Sequence, residues 1–215
     1  MLELGLKVFI SYLIGSLNGS LIIGRMFGGV DIRRVGSGNA GGTNALRTQG
    51  KMFAFWVILI DVGKGSLPTW LLPGLALPWI GLDPEISRTW LTYAIGGAAI
   101  VGHCYPVWFR FAGGKGAATA IGVLAIIAPL LLLPMAITWI LVLIISGYVG
   151  LATICAAVVI PVYVAVTALP EGMDLLVFTT LLAMFAVYTH RSNIQRILSG
   201  DEERDMQSNW RGRTR

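Results

Sequence analysis

Charge is scarce in this sequence. Only 13% of its 215 residues are Asp, Glu, Lys or Arg, against 55% hydrophobic residues, about half the charge of an ordinary soluble domain. That composition excludes a water-soluble globule. It also assigns the net charge of +5 to loops rather than to a nucleic-acid surface, so no nucleic-acid partner is expected. Cysteine is scarce too. Cys104 and Cys155 both lie in apolar stretches, which excludes a disulfide framework and leaves them as small buried hydrophobes. Two histidines and dispersed carboxylates form no ligand cluster, so no metal is expected. Internal repeats and low-complexity tracts are missing. The first apolar stretch lacks the basic start of a signal peptide and is interrupted by Gly15, Ser16, Asn18 and Ser20, so it reads as a retained helix.

Long apolar runs are abundant. They cover residues 4–24, 52–72, 90–108, 117–145, 149–169 and 174–190, and runs of roughly 18 or more residues fit helices that cross a bilayer. The expected fold class is therefore an all-α, polytopic membrane protein. Apart from Asp174 at the very start of the last run, only Lys7, Asp61 and Lys64 place charge inside these runs. Asp61 and Lys64 stand at i, i+3, a spacing that permits an ion pair, either structural or lining a polar cavity. Ser16, Asn18 and Ser20 are candidates for hydrogen bonds between helices, and Asn18 for reaching the same cavity.

The loops divide by charge. Residues 24–51 hold five Lys/Arg, 109–116 hold two and the chain from Arg191 holds six, which is 13 of the 16 basic residues. Asp83, Glu85, Glu171 and Asp174 lie in the opposite loops, with Arg88. The positive-inside rule then puts the basic loops and the C-terminus in the cytoplasm and the N-terminus outside. That orientation requires residues 117–145 to cross twice, with a reversal at Pro129 and Pro134. Seven crossings follow; five, with some spans re-entrant, is the alternative. Residues 1–200 read as the membrane domain and 201–215 as a polar cytoplasmic tail.

Three clusters fall on the predicted cytoplasmic face. The first is Gly36-Ser37-Gly38-Asn39-Ala40-Gly41-Gly42-Thr43-Asn44, followed by Arg47. A glycine-rich turn brings backbone N–H groups together as an anion-binding concavity. The second is Gly102-His103-Cys104-Tyr105-Pro106 and then Phe111-Ala112-Gly113-Gly114-Lys115-Gly116-Ala117-Ala118-Thr119. Its GGKG resembles the end of a nucleotide-binding P-loop, but Gly116 rather than Ser or Thr follows the lysine and no strand precedes it. Flexible backbone, one lysine and a helix N-terminus still attract phosphate. The third is His190-Arg191-Ser192-Asn193-Ile194-Gln195-Arg196, where His190 and Asn193 share a face if the last helix continues. Each feature also has a plainer reading: glycines serve helix packing, and Arg25, Arg33, Arg34 and Lys51 anchor to lipid headgroups.

The clusters together resemble the bacterial acyl-phosphate:glycerol-3-phosphate acyltransferases, the PlsY family. Its pattern S-G-N-x-G-x-T-N is matched by Ser37 through Asn44. G-H-x-x-P with F-x-G-G-K-G-x-A-T is matched by Gly102 through Thr119, and H-R-x-N-I-x-R by His190 through Arg196. Gly42 stands where alanine is usual and Thr153 where serine is usual. The resemblance implies transfer of a fatty acyl group from acyl phosphate to the 1-hydroxyl of sn-glycerol 3-phosphate. The products are lysophosphatidic acid and phosphate, the first acylation of bacterial phospholipid synthesis. It implies a cytoplasmic-membrane enzyme in contact with lipid, with no cofactor and no obligatory protein partner. The donor phosphate is expected on Ser37, Gly38, Asn39, Thr43 and Asn44, and the glycerol phosphate on Arg47, Lys115, His190 and Asn193, with Thr153 assisting. Of these, Ser37, Asn39, Arg47, Lys115, His190 and Asn193 are the candidate catalytic set. Gly113, Gly114 and Gly116 shape the second loop, with His103 supporting it. His103 and His190 are the candidate bases; the family is thought to pass the proton to substrate phosphate instead. A phosphate transporter would need ligands on both sides of the midplane and paired repeats, and a purely structural subunit leaves Lys115 and His190 unexplained.

Overall fold

The computed structural model describes residues 1–204. Residues 205–215, most of the expected tail, lie outside the described residues. The described chain is helical, and its one β-bridge, Leu77 to Gly81, stands outside any strand. It divides into two compact units, Met1–Pro129 and Leu130–Arg215.

The first unit contains α1 (Leu2–Gly15), α2 (Gly19–Met26), α3 (Gly42–Gln49), α4 (Lys51–Leu71), α5 (Arg88–Cys104) and α6 (Ala117–Ile127). The single helix expected over residues 4–24 is instead broken, with α1 and α2 meeting at 44°. Local hydrogen bonding explains the break. Ser16 Oγ donates back to the Tyr12 carbonyl at 2.8 Å, and the Asn18 side chain accepts from Leu21 N at 3.3 Å, capping a new helix.

At the far end of α1, Glu3 and Lys7 are buried and paired at 2.6 Å, and Arg88 donates to the same Glu3 carboxylate. This cluster ties the start of α1 to the start of α5 and to the 72–88 loop, through the Pro73 carbonyl and the Asp83 amide. At the near end, Ser11 Oγ donates to the Ile95 carbonyl at 2.7 Å and Tyr12 Oη to the Tyr105 carbonyl at 2.8 Å. The order of these contacts sets α1 and α5 parallel. The glycine loop is seated by apolar packing: Ile32, Ala40 and Ala45 are fully buried in one cluster with Leu21, Phe53, Val57 and Phe109.

The second unit contains α7 (Leu132–Ser146), α8 (Val149–Thr167), α9 (Met173–Thr189) and α10 (Arg191–Ser199). The apolar run 117–145 is divided just after α6 ends at Ile127, where a 3-10 turn, Pro129–Leu131, precedes α7. Pro134 falls in the first turn of α7, where its missing N–H costs nothing. α9 and α10 bend by 50° at His190, so the last helix does not simply continue.

Three helical segments are long and apolar enough to cross a membrane, Lys51–Gly74, Pro129–Ser146 and Val149–Thr167. Counting each bent pair as one span gives five among the described residues.

Candidate functional site

The glycine loop turns twice through left-handed backbone, at Gly36 (φ 56°) and Gly38 (φ 72°), a region that favours glycine. Its shape is set by Asn44, which is buried in the first turn of α3. The Asn44 Oδ1 accepts from Ser37 N at 3.0 Å. Its Nδ2 faces three carbonyls, Ile32 at 3.1 Å, Val35 at 3.0 Å and Asn39 at 3.1 Å. Asn44 thus spends its polar atoms on the loop itself. Ser37 and Gly38 stay exposed at the tip, with Asn39 and Thr43 half-buried. α3 opens after Gly41 without a side-chain cap, so its first N–H groups have no partner within the helix and its positive end faces the loop. Arg47 follows in the last turn of α3, half-buried.

Arg33 and Asp31 brace the approach to this loop. Their side chains pair at 2.8 Å, and Arg33 also donates to the Phe109 carbonyl at 3.0 Å and the Ala112 carbonyl at 3.2 Å. In place of a headgroup anchor, the structure makes Arg33 a strut to the second motif. The guanidinium beside Asp31 lowers its pKa from 3.8 to about 2, and the carboxylate raises that of Arg33 in return. A depressed carboxylate stabilises the fold above its unfolded pKa and loses that contribution as pH falls through its folded value. The thermal stability gap between wild type and Asp31→Asn is therefore expected to be full above pH ~4 and to close as pH falls toward ~2. A gap that stays constant down to pH ~2 contradicts the pairing.

The second motif folds back on itself. Gly113 N donates to the Cys104 carbonyl and Gly114 N to the His103 carbonyl, both at 3.2 Å. His103 is buried, with Nδ1 3.4 Å from Asp61 Oδ1, within ion-pair reach but outside hydrogen-bond geometry. The His103 ring lies against the Gly114 backbone, so that a Cβ there would collide with Nε2. Lys115 is half-buried beside it, and Gly116 (φ 87°) opens α6. Asp61 and Lys64, paired by spacing in the sequence, are 2.9 Å apart and buried.

In the second unit, His190 sits at the bend between α9 and α10. Its Nδ1 lies 2.8 Å from the Ala186 carbonyl. A carbonyl can only accept, so in the neutral ring the proton is on Nδ1 and the lone pair on Nε2. Asn193 is buried one turn later, packed on Gly150, where a Cβ would sit 2.6 Å from the carboxamide. Asn193 Nδ2 donates to Glu202 Oε1 at 2.5 Å, and Arg196 Nε to Glu202 Oε2 at 2.6 Å. Glu202 and Gly150 escaped the sequence reading. Glu202 falls within the stretch taken for a tail, but Gly200 (φ 82°) turns the chain back so that Glu202 N reaches the Arg196 carbonyl at 3.1 Å. The Thr153 hydroxyl donates to the Val149 carbonyl at 2.9 Å and accepts from Trp139 Nε1 at 3.2 Å, linking α7 to α8. No group of three or more metal-ligating side chains occurs among the described residues.

Comparison with known proteins fits these observations. The family profile for glycerol-3-phosphate acyltransferase matches residues 6–200. A glycerol-3-phosphate acyltransferase of Chlorobaculum tepidum is 38% identical over 219 residues, covering 92% of this chain and 94% of the relative. One of Methylobacillus flagellatus is 40% identical over 196 residues, covering 91% and 93%. Two crystal structures of PlsY, an integral membrane glycerol 3-phosphate acyltransferase, are also similar. The glycerol 3-phosphate form has a TM-score of 0.79 and 32% identity, covering 94% of each chain. The lysophosphatidic acid form has a TM-score of 0.77 at the same identity and coverage.

Proposed function

The chain belongs to the glycerol-3-phosphate acyltransferase family, and from that premise we propose that it acylates the 1-hydroxyl of sn-glycerol 3-phosphate using acyl phosphate, releasing lysophosphatidic acid and phosphate. It is an all-helical integral membrane protein, as the solved relative is. Beyond that, the proposal includes seven crossings, an outer N-terminus, a site on the cytoplasmic side of the bacterial inner membrane, and a polar tail from residue 201. The solved PlsY forms with glycerol 3-phosphate and lysophosphatidic acid support the acceptor and the product.

The observation that carries the reading is the glycine loop. Its carbonyls at 32, 35 and 39 turn inward onto Asn44, while Ser37 and Gly38 stay at an exposed tip beside the uncapped start of α3. Such a turn favours an anion, and acyl phosphate presents one. Ser37, Gly38, Asn39 and Thr43 take the donor phosphate, with Asn44 as the residue that shapes the loop. In this proposal Arg47, Lys115, His190 and Asn193 take the glycerol phosphate, with Thr153 assisting. Arg47 offers forked hydrogen bonds and Lys115 a point charge.

In the reaction the 1-hydroxyl oxygen attacks the acyl carbon, the carbon–oxygen bond of the mixed anhydride breaks, and phosphate leaves. The hydroxyl proton passes to a phosphate oxygen, so no protein base is required. Positioning of an already activated donor supplies much of the rate.

The test supplies purified enzyme with acyl phosphate and labelled glycerol 3-phosphate. Labelled lysophosphatidic acid is expected from acyl phosphate and not from acyl-CoA. Product from acyl-CoA alone overturns the donor assignment, and no product in either detergent or lipid overturns the function.

A further inference from the structure

The break between α1 and α2 leaves backbone groups without helical partners inside an apolar segment. Lipid offers them no water, so another part of the protein must take them. The Asp61–Lys64 pair does this. Lys64 Nζ donates to the Leu17 carbonyl at 3.2 Å, and Gly19 N donates to Asp61 Oδ1 at 3.0 Å. The ammonium thus sits at the negative end of α1 and the carboxylate at the positive end of α2, the arrangement that helix dipoles favour.

The same pair reaches both anion loops. Asn18, inside the break, donates from Nδ2 to the Ala40 carbonyl of the glycine loop at 3.3 Å. On the other side, Asp61 faces His103, whose ring lies on the Gly114 backbone next to Lys115. Gly114 and Ala40 also meet, since a Cβ on Gly114 would lie 2.6 Å from the Ala40 carbonyl. Backbone from both loops is therefore held against one buried ion pair. Asp61 Oδ2, meanwhile, is buried with no hydrogen-bond partner. A pair serving stability alone would gain by satisfying that oxygen, and buried ion pairs in general are replaceable by apolar side chains with little loss of stability.

We propose that Asp61, Lys64 and Asn18 are positioning residues for acyl transfer. The ion pair splints the broken helix, and through Asn18 and His103 it fixes the glycine loop relative to the Gly113–Gly116 loop. They touch no reacting atom. The inference rests on the reading of the glycine loop as the acyl-phosphate cradle.

Two variants test it. Asp61→Asn keeps an acceptor for Gly19 N and removes the charge. Asn18→Ser keeps a side chain able to cap α2 and removes the tie to Ala40, together with the bond Asn18 Oδ1 accepts from Ser20 Oγ at 2.9 Å. Both are purified in lipid and compared with wild type per folded protein, varying each substrate in turn. The expected result is a KM for acyl phosphate raised about tenfold or more in both, with the unfolding temperature of Asn18→Ser close to wild type. Lys64→Arg, which keeps the charge and the donor to Leu17, should stay within about threefold of wild type, while Lys64→Met should not. If activity follows folded fraction alone with both KM values unchanged, the residues are merely structural and the proposal fails. An inactive wild type would instead overturn the functional reading.

Discussion

Asn44→Ala loses acyl transfer by about 100-fold or more, the scale on which small misplacements of a binding group act. The side chain is 2% exposed and its two polar atoms serve four backbone groups, at residues 32, 35, 37 and 39. Removing the carboxamide takes the side-chain partner from Ser37 N and the Ile32 carbonyl and leaves the Val35 and Asn39 carbonyls with Gly38 N and Gly41 N alone; each group left unsatisfied and kept from water costs about 1–3 kcal/mol. The loop escapes that cost by opening, which ends its ability to hold an anion. Asn44→Asp falls nearly as far, because a carboxylate would face the three carbonyls with no proton to give. Hydrogen exchange without substrate is the decisive readout. Amides over residues 32–44 should exchange faster in Asn44→Ala while the rest of the unit is unchanged. If Asn44 were only a phosphate ligand, exchange in the substrate-free protein would not move.

The sequence made the helices legible wherever an apolar run ended at a turn residue, as at Pro129 and the 146–148 turn. It was ambiguous at Asn18. A polar residue in an apolar run looks the same whether it bridges two intact helices or caps a new one, and only the geometry around Leu21 and Ala40 decides. The Asp61–Lys64 pairing was readable from i, i+3 spacing because both partners lie on one helix. Its third neighbour, His103, was not, since it arrives through the packing of α5 against α4. The glycine loop, Lys115 and His190 stood out by residue type and order. The division of labour within those motifs did not: nothing in the pattern tells an asparagine that faces ligand from one, like Asn44, turned into its own loop. Glu202 was missed for a related reason. A carboxylate after a final helix reads as solvated tail unless the turn at Gly200 is known to bring it back to Asn193 and Arg196.

Gly114→Ala should cripple acyl transfer while leaving the protein folded. The added carbon would collide with His103 Nε2 and come within 2.6 Å of the Ala40 carbonyl. Neither neighbour has an easy retreat. His103 is 2% exposed and backed by Asp61, and the Ala40 carbonyl belongs to a fully buried residue that already accepts from Asn18. Overpacking of this kind costs about 1–3 kcal/mol. Here the strain must be relieved by moving one of the two motif loops, so activity falls further than stability. A loss of about 100-fold in kcat/KM is expected, with an unfolding temperature only a few degrees lower. Gly97→Ala is the matched control, because nothing lies within 4 Å of its added carbon. Alanine also favours the helix there by about 1 kcal/mol, so that variant should keep full activity and gain stability. Equal activity of the two variants would mean that the close approach of His103, Gly114 and Ala40 plays no part in placing Lys115 beside the glycine loop.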